Sequence, residues 1–271
     1  MRLSERYRVK PDSKVNLGKW DPDDTLDFKD SDSVKKKMKK NLKRLSELQY
    51  LLYAENKRSV LIVLQALDAG GKDGTIRHVM GPLNPQSCKV ISFKTPTAEE
   101  LAHDFLWRIH RAAPRAGEIR IFNRSHYEDV LIVRVHGLVP KSVWSRRYEQ
   151  INAFERMLTQ NNTHILKFYL HISKDEQLER FKARLEDPTK LWKASKDDFE
   201  ERKYWNAYAE AYQAALSRCS TTQAPWFIIP ANKKWFRNFV VSEILVEYLS
   251  KLRMKFPQPA DLSAIEPDQL V

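Results

Sequence analysis

The chain has 271 residues, of which 47 are Lys or Arg and 35 are Asp or Glu, so its formal net charge is +12 at pH 7. Its 42% hydrophobic and 11% aromatic content excludes a disordered chain, and its length fits one large domain better than two small ones. The positive charge favours a polyanionic partner, which by composition alone is nucleic acid, a nucleotide, polyphosphate or an acidic membrane.

Cysteine usage and hydropathy predict a cytoplasmic protein. Cys88 and Cys219 are too few for a disulfide framework, and no metal-type spacing links them to histidines. No apolar run approaches the roughly 20 residues that span a bilayer. The first residues, MRLSERYRVK, lack the apolar core of a signal peptide. We therefore expect no membrane-spanning segment.

The N-terminal part is predicted to be an irregular arm followed by one basic helix. Residues 1–31 are polar and have no clear period. From Val34 to Leu52, apolar residues recur at spacings of three and four, which is typical of one helix face. The other face carries seven Lys or Arg within residues 35–44. This face is either a solvated surface or a wall for a long anion, and the pattern leaves both interpretations open.

The rest of the chain alternates between strand and helix patterns. Short β-branched and aliphatic runs predict buried strands at 59–64, 89–93, 118–122, 164–170 and 226–229. Helical patterns lie at about 73–80, 97–112, 140–160, 174–186, 196–218 and 235–254. The alternation predicts an α/β fold whose parallel sheet has helices on both faces. Residues 256–271 contain three prolines and are predicted to be a loose tail.

Three of the seven glycines lie within five consecutive positions, directly after the first predicted strand. The run is Ala66-Leu67-Asp68-Ala69-Gly70-Gly71-Lys72-Asp73-Gly74-Thr75. A strand, a glycine-rich loop and a helix form the context of a phosphate-binding P-loop, where backbone N–H groups and a lysine hold the anion. The match is incomplete, because Ala66 replaces the first glycine and Asp73 replaces the usual hydroxyl. The competing interpretation is an ordinary strand-to-helix turn with a surface lysine.

Two aspartates lie in this loop, although the loop is suited to anions. Asp68 and Asp73 add negative charge that is costly unless a cation intervenes, so they indicate Mg²⁺ close by, bound directly or through water. For Asp73, complementing the dipole of the following helix is an equally good explanation.

A second polar set follows the predicted strand at 118–122, in the run Asn123-Arg124-Ser125-His126-Tyr127-Glu128-Asp129. The carboxyl ends of parallel strands are where such sheets bind ligands, and in P-loop enzymes this strand usually ends in an acid near Mg²⁺. Asn123 has that position here, and Glu128 can replace the missing charge. Arg124 can bind phosphate through its forked donors. Asp129 is more simply a solvated or capping acid, and His126 a packed residue rather than a phosphohistidine, because no base lies beside it.

A third group is basic and surrounds the helix-breaking pair Asp187-Pro188. It comprises Arg180, Lys182, Arg184, Lys190, Trp192 and Lys193. A basic segment at such a break can fold over phosphates as a lid. A solvated helix end is the competing interpretation.

Several motifs together make the family recognisable. A-L-D-A-G-G-K-D-G-T-I, I-F-N-R-S-H-Y-E-D-V-L and E-D-P-x-K-x-W-K occur in this order, between V-N-L-G-K-W-D-P-D-D-T and A-P-W-F-I-I-P-A-N-K-K-W-F. The chain thereby resembles the type 2 polyphosphate kinase family from about Tyr7 to Pro257. Each motif alone is weak, but the combination is highly specific.

The resemblance implies a fold and a reaction. The fold is a thymidylate-kinase-like P-loop kinase, a three-layer sandwich with a five-stranded parallel sheet and a helical lid. The reaction is reversible transfer of a terminal phosphoryl group between inorganic polyphosphate and a nucleotide, with Mg²⁺ or, in its place, Mn²⁺. The motif N-R-S-H-Y-E-D resembles the subgroup that phosphorylates both AMP and ADP, giving ADP and ATP, whereas D-R-S-W-Y-N is more often found in members limited to diphosphates.

The same resemblance implies site residues. The expected catalytic residues are Asp68, Lys72, Arg124 and Glu128, of which Asp68 and Glu128 are the expected metal ligands. The expected nucleotide-binding residues are Arg77, Asn123, Arg124 and Glu128. The expected phosphate and polyphosphate contacts are Ala69, Gly70, Gly71, Lys72, Asp73, Gly74 and Thr75 in the loop, and Arg184, Lys190 and Lys193 in the lid.

We expect three segments along the chain. Residues 1–56 are an arm and a basic helix packed on the core, 57–257 are the P-loop kinase core with its lid at about 180–196, and 258–271 are a loose tail. The expected partners are polyphosphate, AMP, ADP and ATP, without nucleic acid or membrane. A homo-oligomer, dimer or tetramer, is expected because aromatic residues near the C-terminal helix can support one.

Two other functions compete with this interpretation. An ATP-dependent nucleoside monophosphate kinase would share the fold but use another donor, and the excess basic charge and the altered P-loop argue against it. A basic nucleic-acid-binding P-loop protein is the second, and no helix-turn-helix, zinc-finger or RNP-like motif supports it.

Overall fold

Five strands form one parallel sheet at the centre of the molecule. The structure is a computed structural model that describes residues 2–193 and 196–258, without the side chains of residues 193–198. The strands are β1 (Ser59–Gln65), β2 (Cys88–Ser92), β3 (Ile119–Asn123), β4 (Thr163–His171) and β5 (Trp226–Pro230). Their order is β2-β3-β1-β4-β5, and all neighbouring pairs are parallel. The five predicted strands are confirmed to within one residue at each end.

Helices cover the sheet on both faces. In chain order they are α1 (Leu3–Arg6), α2 (Ser31–Glu55), α3 (Lys72–Thr75), α4 (Ala98–Leu101), α5 (Trp107–Arg111), α6 (Ile132–Val135), α7 (Lys141–Gln160), α8 (Lys174–Glu186), α9 (Lys196–Glu201), α10 (Trp205–Cys219) and α11 (Lys234–Lys251). Alternate residues of β1 belong to two separate cores: Val60 and Ile62 pack with α2 and α11, whereas Leu61 and Val63 pack with α7 and α10. The predicted three-layer α/β fold is confirmed.

The basic helix α2 runs beside α11 along one face of the sheet. Its start is capped by the Asp30 carboxylate, which accepts from the Ser33 N–H at 3.0 Å. Asn41 donates to Ser242 Oγ at 3.1 Å, and Leu45 and Leu52 are buried in the shared core. The charged face is turned to solvent, as the apolar period predicts.

The N-terminal arm is irregular, as expected, but it is packed more tightly than its polarity indicates. It contains a one-turn helix and a 3₁₀ turn at Leu17–Lys19. The Val9 N–H donates to Trp226 O and the Ile228 N–H donates to Tyr7 O, both at 2.9 Å, so the arm covers the β5 edge. Tyr7 and Val9 are consequently buried.

Three predicted helices are not continuous. The single helix expected at 97–112 is wrong: the first piece ends at Leu101 and the second begins at Trp107, and between them the Asp104 carboxylate forms a turn by accepting from the Leu106 N–H at 2.9 Å. The helix expected at 73–80 is four α-helical residues followed by a π-helical turn, Ile76–Met80. The pattern at 196–218 contains a 3₁₀ turn at Arg202–Tyr204. Of the expected tail, residues 259–271 lie outside the described residues.

No helix in the described part of the chain is both long and apolar enough to cross a membrane. The longest one, α2, is also the most heavily charged.

Candidate active site

A cleft of about 1080 Å³ opens at the carboxyl edge of the sheet. One wall is the glycine-rich loop after β1, and the ends of β2 and β3 form its floor. The facing wall is formed by α8, the 3₁₀ turn Leu191–Lys193 and the start of α11. This is the edge at which open α/β sheets bind ligands.

The glycine-rich loop has the backbone geometry that its sequence predicts. Gly71 has φ +100°, in the left-handed region that favours glycine. A Cβ atom at Gly71 would lie 1.8 Å from Nη1 of Arg237, and one at Gly70 would lie 2.5 Å from Cβ of Ala66. Both glycines are therefore required by close contacts. The contact at Gly70 also accounts for a small residue, Ala66, where the standard motif begins with glycine.

Lys72 is held against this loop. Its Nζ donates to the carbonyl oxygen of Ala66 at 2.8 Å. Burial lowers the pKa of the Lys72 ammonium, and the nearby carboxylates of Asp68 and Glu128 act in the opposite direction by favouring the charged form. The Lys72 ammonium is therefore placed where a bound anion would help to neutralise its charge.

Two polar contacts join the loop to the end of β3. Arg124 Nη2 lies 3.4 Å from Oδ1 of Asp68, and Asn123 Nδ2 donates to Oδ1 of Asp73 at 2.9 Å. Arg124 adopts φ +63°, a left-handed conformation that is costly for a residue with a side chain. The two segments that sequence reasoning paired are therefore adjacent.

Glu128 lies behind Arg124 rather than among the residues that line the cleft. Burial raises the pKa of its carboxyl group, while the charges of Arg124 and Lys72 and a hydrogen bond with Gln65 lower it. Glu128 also interacts electrostatically with Asp68. The structure therefore brings together the four expected catalytic residues.

The other expected site residues divide into two groups. Arg184 and Lys190 line the wall that faces the loop, together with Trp192. Thr75 does not line the cleft, because it is fully buried and its N–H donates to Gly71 O at 2.9 Å. Arg77 is exposed on the π-helical turn and also lies outside the lining. The side chain of Lys193 lies outside the described residues.

Two arginines with little exposed side chain contact the loop. Arg180 was expected only as a member of the basic group around Asp187-Pro188, and Arg237 was not singled out from the sequence. Arg180 Nη1 donates to Ala69 O at 2.8 Å, and its Nε pairs with Glu176 at 2.8 Å. Arg237 is 2% exposed, and among the described residues its side-chain acceptor is the neutral amide of Asn238. Burial, together with the neighbouring charge of Arg180, lowers the pKa of Arg237 to about 10.

Positive charge without a buried acid beside it indicates a site for an anion. Arg237 was missed because it lies among the apolar residues of the last helix, where a basic residue is usually interpreted as exposed to solvent. Its only signal was its place shortly after the end of a strand, at the edge of the sheet where ligands bind.

The carboxylates of the cleft fit a hard divalent cation that is bound together with phosphates. In the described part of the chain, no cluster of three or more His, Cys, Asp or Glu could hold a metal by itself. Asp68 and Asp73 nevertheless lie on the loop wall. Mg²⁺ is commonly held by one or two carboxylates, substrate phosphates and water rather than by an all-protein cage.

Comparison with known proteins places the chain in a family. Residues 28–257 match the sequence model of Polyphosphate kinase 2 (PPK2). The chain is 54% identical to the AMP/ADP-polyphosphate phosphotransferase of Meiothermus ruber, over 96% of this chain and 97% of that protein. It is 45% identical to the ADP-polyphosphate phosphotransferase of Rhodopseudomonas palustris, over 94% of this chain and 92% of that protein.

The fold agrees with these matches. The crystal structure of Polyphosphate Kinase 2 from Arthrobacter aurescens TC1 superposes with a TM-score of 0.93 at 42% identity, covering 97% of this chain and 95% of that one. The protein is thus a kinase of the P-loop type, and it belongs to the polyphosphate kinase 2 family. The resemblance stated from its motifs is confirmed.

Proposed function

We propose that the protein transfers the terminal phosphoryl group of inorganic polyphosphate to AMP and to ADP, giving ADP and ATP, in a reversible reaction. The observation that carries this proposal is the charge of the cleft. Eight Lys or Arg side chains line it, against four Asp or Glu. The cations stand on both walls, which suits an extended polyanion better than one compact phosphate group.

Phosphoryl transfer needs alignment and charge neutralisation more than covalent chemistry. In our proposal Lys72 and Arg124 hold the terminal phosphate of the acceptor, beside the backbone N–H groups of residues 69–74. Arg184 and Lys190, with Lys193, hold the polyphosphate from the facing wall. The attacking oxygen is already an anion, so no strong general base is required.

Asp68 and Glu128 would hold the divalent cation, which we propose to be Mg²⁺, or Mn²⁺ in its place. When bound, it supplies charge neutralisation to the phosphate oxygens. Asp68 already faces Arg124 in the cleft. Glu128 would add a second carboxylate charge close enough to Asp68 for the two to repel each other, a repulsion that a bound cation would relieve.

The acceptor nucleotide is proposed to lie at the end of β3. Asn123 and Glu128 belong to the N-R-S-H-Y-E-D motif, and the Meiothermus ruber relative whose name includes both AMP and ADP supports the wider acceptor choice. Arg77 is proposed as a nucleotide contact that would need the acceptor to extend beyond the cleft, because its side chain is exposed outside the lining.

A donor-exchange assay tests this proposal against its competitors. Polyphosphate is supplied with AMP and with ADP in separate reactions, and ADP and ATP formation is measured. We expect product in both reactions. Product that forms only with a nucleoside triphosphate as donor would instead support an ATP-dependent nucleoside monophosphate kinase. Salt-sensitive nucleic-acid binding without phosphotransfer would support the binding protein.

We further propose that the protein acts in the cytoplasm as a homo-oligomer, a dimer or tetramer, without nucleic acid or membrane as partner. Tyr50, Tyr53 and Phe256 are each at least half exposed, and Tyr50 packs on Phe256 with ring centroids 6.0 Å apart. Exposed aromatic clusters favour association. Light scattering of the purified protein measures the assembly, and a monomer mass would contradict this part.

A further inference from the structure

A buried ion pair lies beneath the loop that carries Arg124. Lys167, in the middle of β4, pairs with Glu155 of α7, and their side chains are 0% and 2% exposed. Lys167 Nζ also donates to the hydroxyl of Tyr127 at 2.9 Å and to the carbonyl oxygen of Cys219 at 2.6 Å. The pair is therefore enclosed by four elements of the core.

The pair is connected to the turn His126–Val130, which begins two residues after Arg124 and contains Glu128. Glu155 Oε1 accepts from His126 Nε2 at 3.1 Å and from the Tyr127 hydroxyl at 2.8 Å. Both partners are 0% exposed. One carboxylate thus holds two consecutive residues of the segment that presents Arg124 on one side and Glu128 on the other.

Stability alone does not explain this arrangement. Desolvating two charges costs several kcal/mol per ion, and apolar residues of similar volume often replace a buried pair without loss of stability. The contacts of a buried pair therefore indicate which segments it holds in place. Here it holds the turn that directly follows Arg124, a residue whose φ of +63° is costly for a side chain.

Other contacts hold the residues on either side of His126 and Tyr127. Ser125 Oγ accepts from the Tyr127 N–H and from Gln65 Nε2, both at 3.2 Å. These bonds fix the position of Ser125 but leave the ring positions of His126 and Tyr127 to the ion pair. Asp129 of the same turn is also tied to α7, because Arg147 Nη1 donates to its Oδ1 at 2.8 Å and to its carbonyl oxygen at 3.2 Å. Glu155 and Lys167 hold the preceding side chains, those of His126 and Tyr127, to α7 and β4.

We propose that Lys167 and Glu155 are positioning residues for phosphoryl transfer: through His126 and Tyr127, they fix the turn that follows Arg124 and carries Glu128, and so keep Arg124 directed at the reacting phosphates. They do not touch substrate. The proposal rests on the proposed function, because its rate readout is polyphosphate-dependent transfer.

The double variant Lys167→Met with Glu155→Gln tests this. It removes both charges together, keeps the side-chain volumes similar and leaves no single buried charge. Tyr7→Phe is the matched control, since Tyr7 is a buried tyrosine of the N-terminal arm whose hydroxyl donates to Asp24 at 3.0 Å. Melting temperature, kcat, KM for polyphosphate and amide hydrogen exchange of residues 124–130 are measured.

We expect the double variant to remain folded, with kcat about tenfold lower, KM within about twofold, and exchange at 124–130 about tenfold faster. The control should change none of these beyond about twofold. Wild-type kcat and exchange rates at 124–130 in the double variant overturn the inference. A wild-type protein without polyphosphate-dependent transfer contradicts the proposed function instead, and the exchange rates then decide the inference alone.

Two single variants keep the test decisive if the double variant does not fold. His126→Gln retains a donor near the position of Nε2, whereas His126→Phe retains the ring and loses the donor. We expect His126→Gln to keep most of kcat and His126→Phe to lose about tenfold, with equal KM values. Equal kcat in the two variants would contradict the inference.

Discussion

At the scale of single residues, the sequence predicts a phosphate-binding loop but does not predict which side chains pack against it. The spacing of Gly70, Gly71 and Lys72 after an apolar run predicts a phosphate loop because the backbone needs left-handed geometry there. The guanidinium of Arg237 that fills the space beside Gly71 comes from 166 residues further along the chain. Local spacing cannot report such a contact, since only the folded sheet brings the two together.

Gly71→Ala should be far more damaging than Gly137→Ala. Both glycines have positive φ, +100° and +61°, so both substitutions strain the backbone. A Cβ atom at Gly137 meets nothing within 4 Å, whereas one at Gly71 meets Arg237. We expect Gly71→Ala to lower the free energy of unfolding by about 2 kcal/mol more than its control and to raise KM for polyphosphate. Equal denaturation midpoints would contradict the close contact.

Lys72→Ala should abolish transfer while leaving the fold intact. Removing the ammonium takes away charge that is required in the transition state, and we expect kcat to fall by about 10³-fold. Lys57→Ala, at an exposed position away from the cleft, is the control. Rates come from the AMP and ADP assays, and circular dichroism reports the fold. Retained turnover in Lys72→Ala would contradict the assignment of the glycine-rich loop as a P-loop.

The acid limb of the pH profile should depend on Glu128. Because burial raises the pKa of this carboxyl group, it loses its charge at a higher pH than an ordinary glutamate as the solution is acidified. If the ionised form is needed, kcat/KM falls on the acid side at a pH above the usual glutamate range. Glu128→Gln should lower the plateau and remove this limb. An unchanged limb in the variant would assign the titration to another group.

At the scale of elements, hydrophobic period predicted the strands well because β1, β3, β4 and β5 are mostly buried. The strand at 89–93 was wrongly expected to be buried, because β2 lies at the edge of the sheet and is mostly exposed. The hydrophobic period also failed where a side chain overrides it. Asp104 forms a turn that interrupts the pattern at 97–112, and apolar spacing does not indicate the π-helical turn after α3. The basic face of α2 was left open, and the structure places none of residues 35–44 in the lining of the cleft.

The basic face of α2 still offers a surface for the part of a long chain that leaves the cleft. Phe28 packs on Phe236 at the start of α11, and Lys37 Nζ lies 5.0 Å from the Phe28 ring centroid, so this face begins near the cleft rim. Alanine at Lys36, Lys39 and Lys40 should raise KM for long polyphosphate by about threefold to tenfold and leave short chains unaffected. Equal changes of KM for long and short polyphosphate would indicate that the basic face of α2 is only a solvated surface.

At the scale of the whole molecule, part of the excess positive charge of +12 is concentrated in the cleft. Cations from the loop, β3, α8 and α11 converge on one cleft, and the parallel sheet is what brings these distant segments to the same edge. Fold class and the two halves of the site followed from the sequence. The basic group around Asp187-Pro188 was also recognised, but the contact of Arg180 with the loop and the presence of Arg237 there were not, because these residues are far from the loop in sequence.

The most direct test of the account is donor specificity of the purified protein. Polyphosphate with Mg²⁺ is supplied with AMP alone and with ADP alone, and nucleotide products are followed by chromatography. The account predicts ADP and then ATP from AMP, and ATP from ADP, without any nucleoside triphosphate donor. Inert polyphosphate, with transfer from a nucleoside triphosphate to AMP, would contradict it.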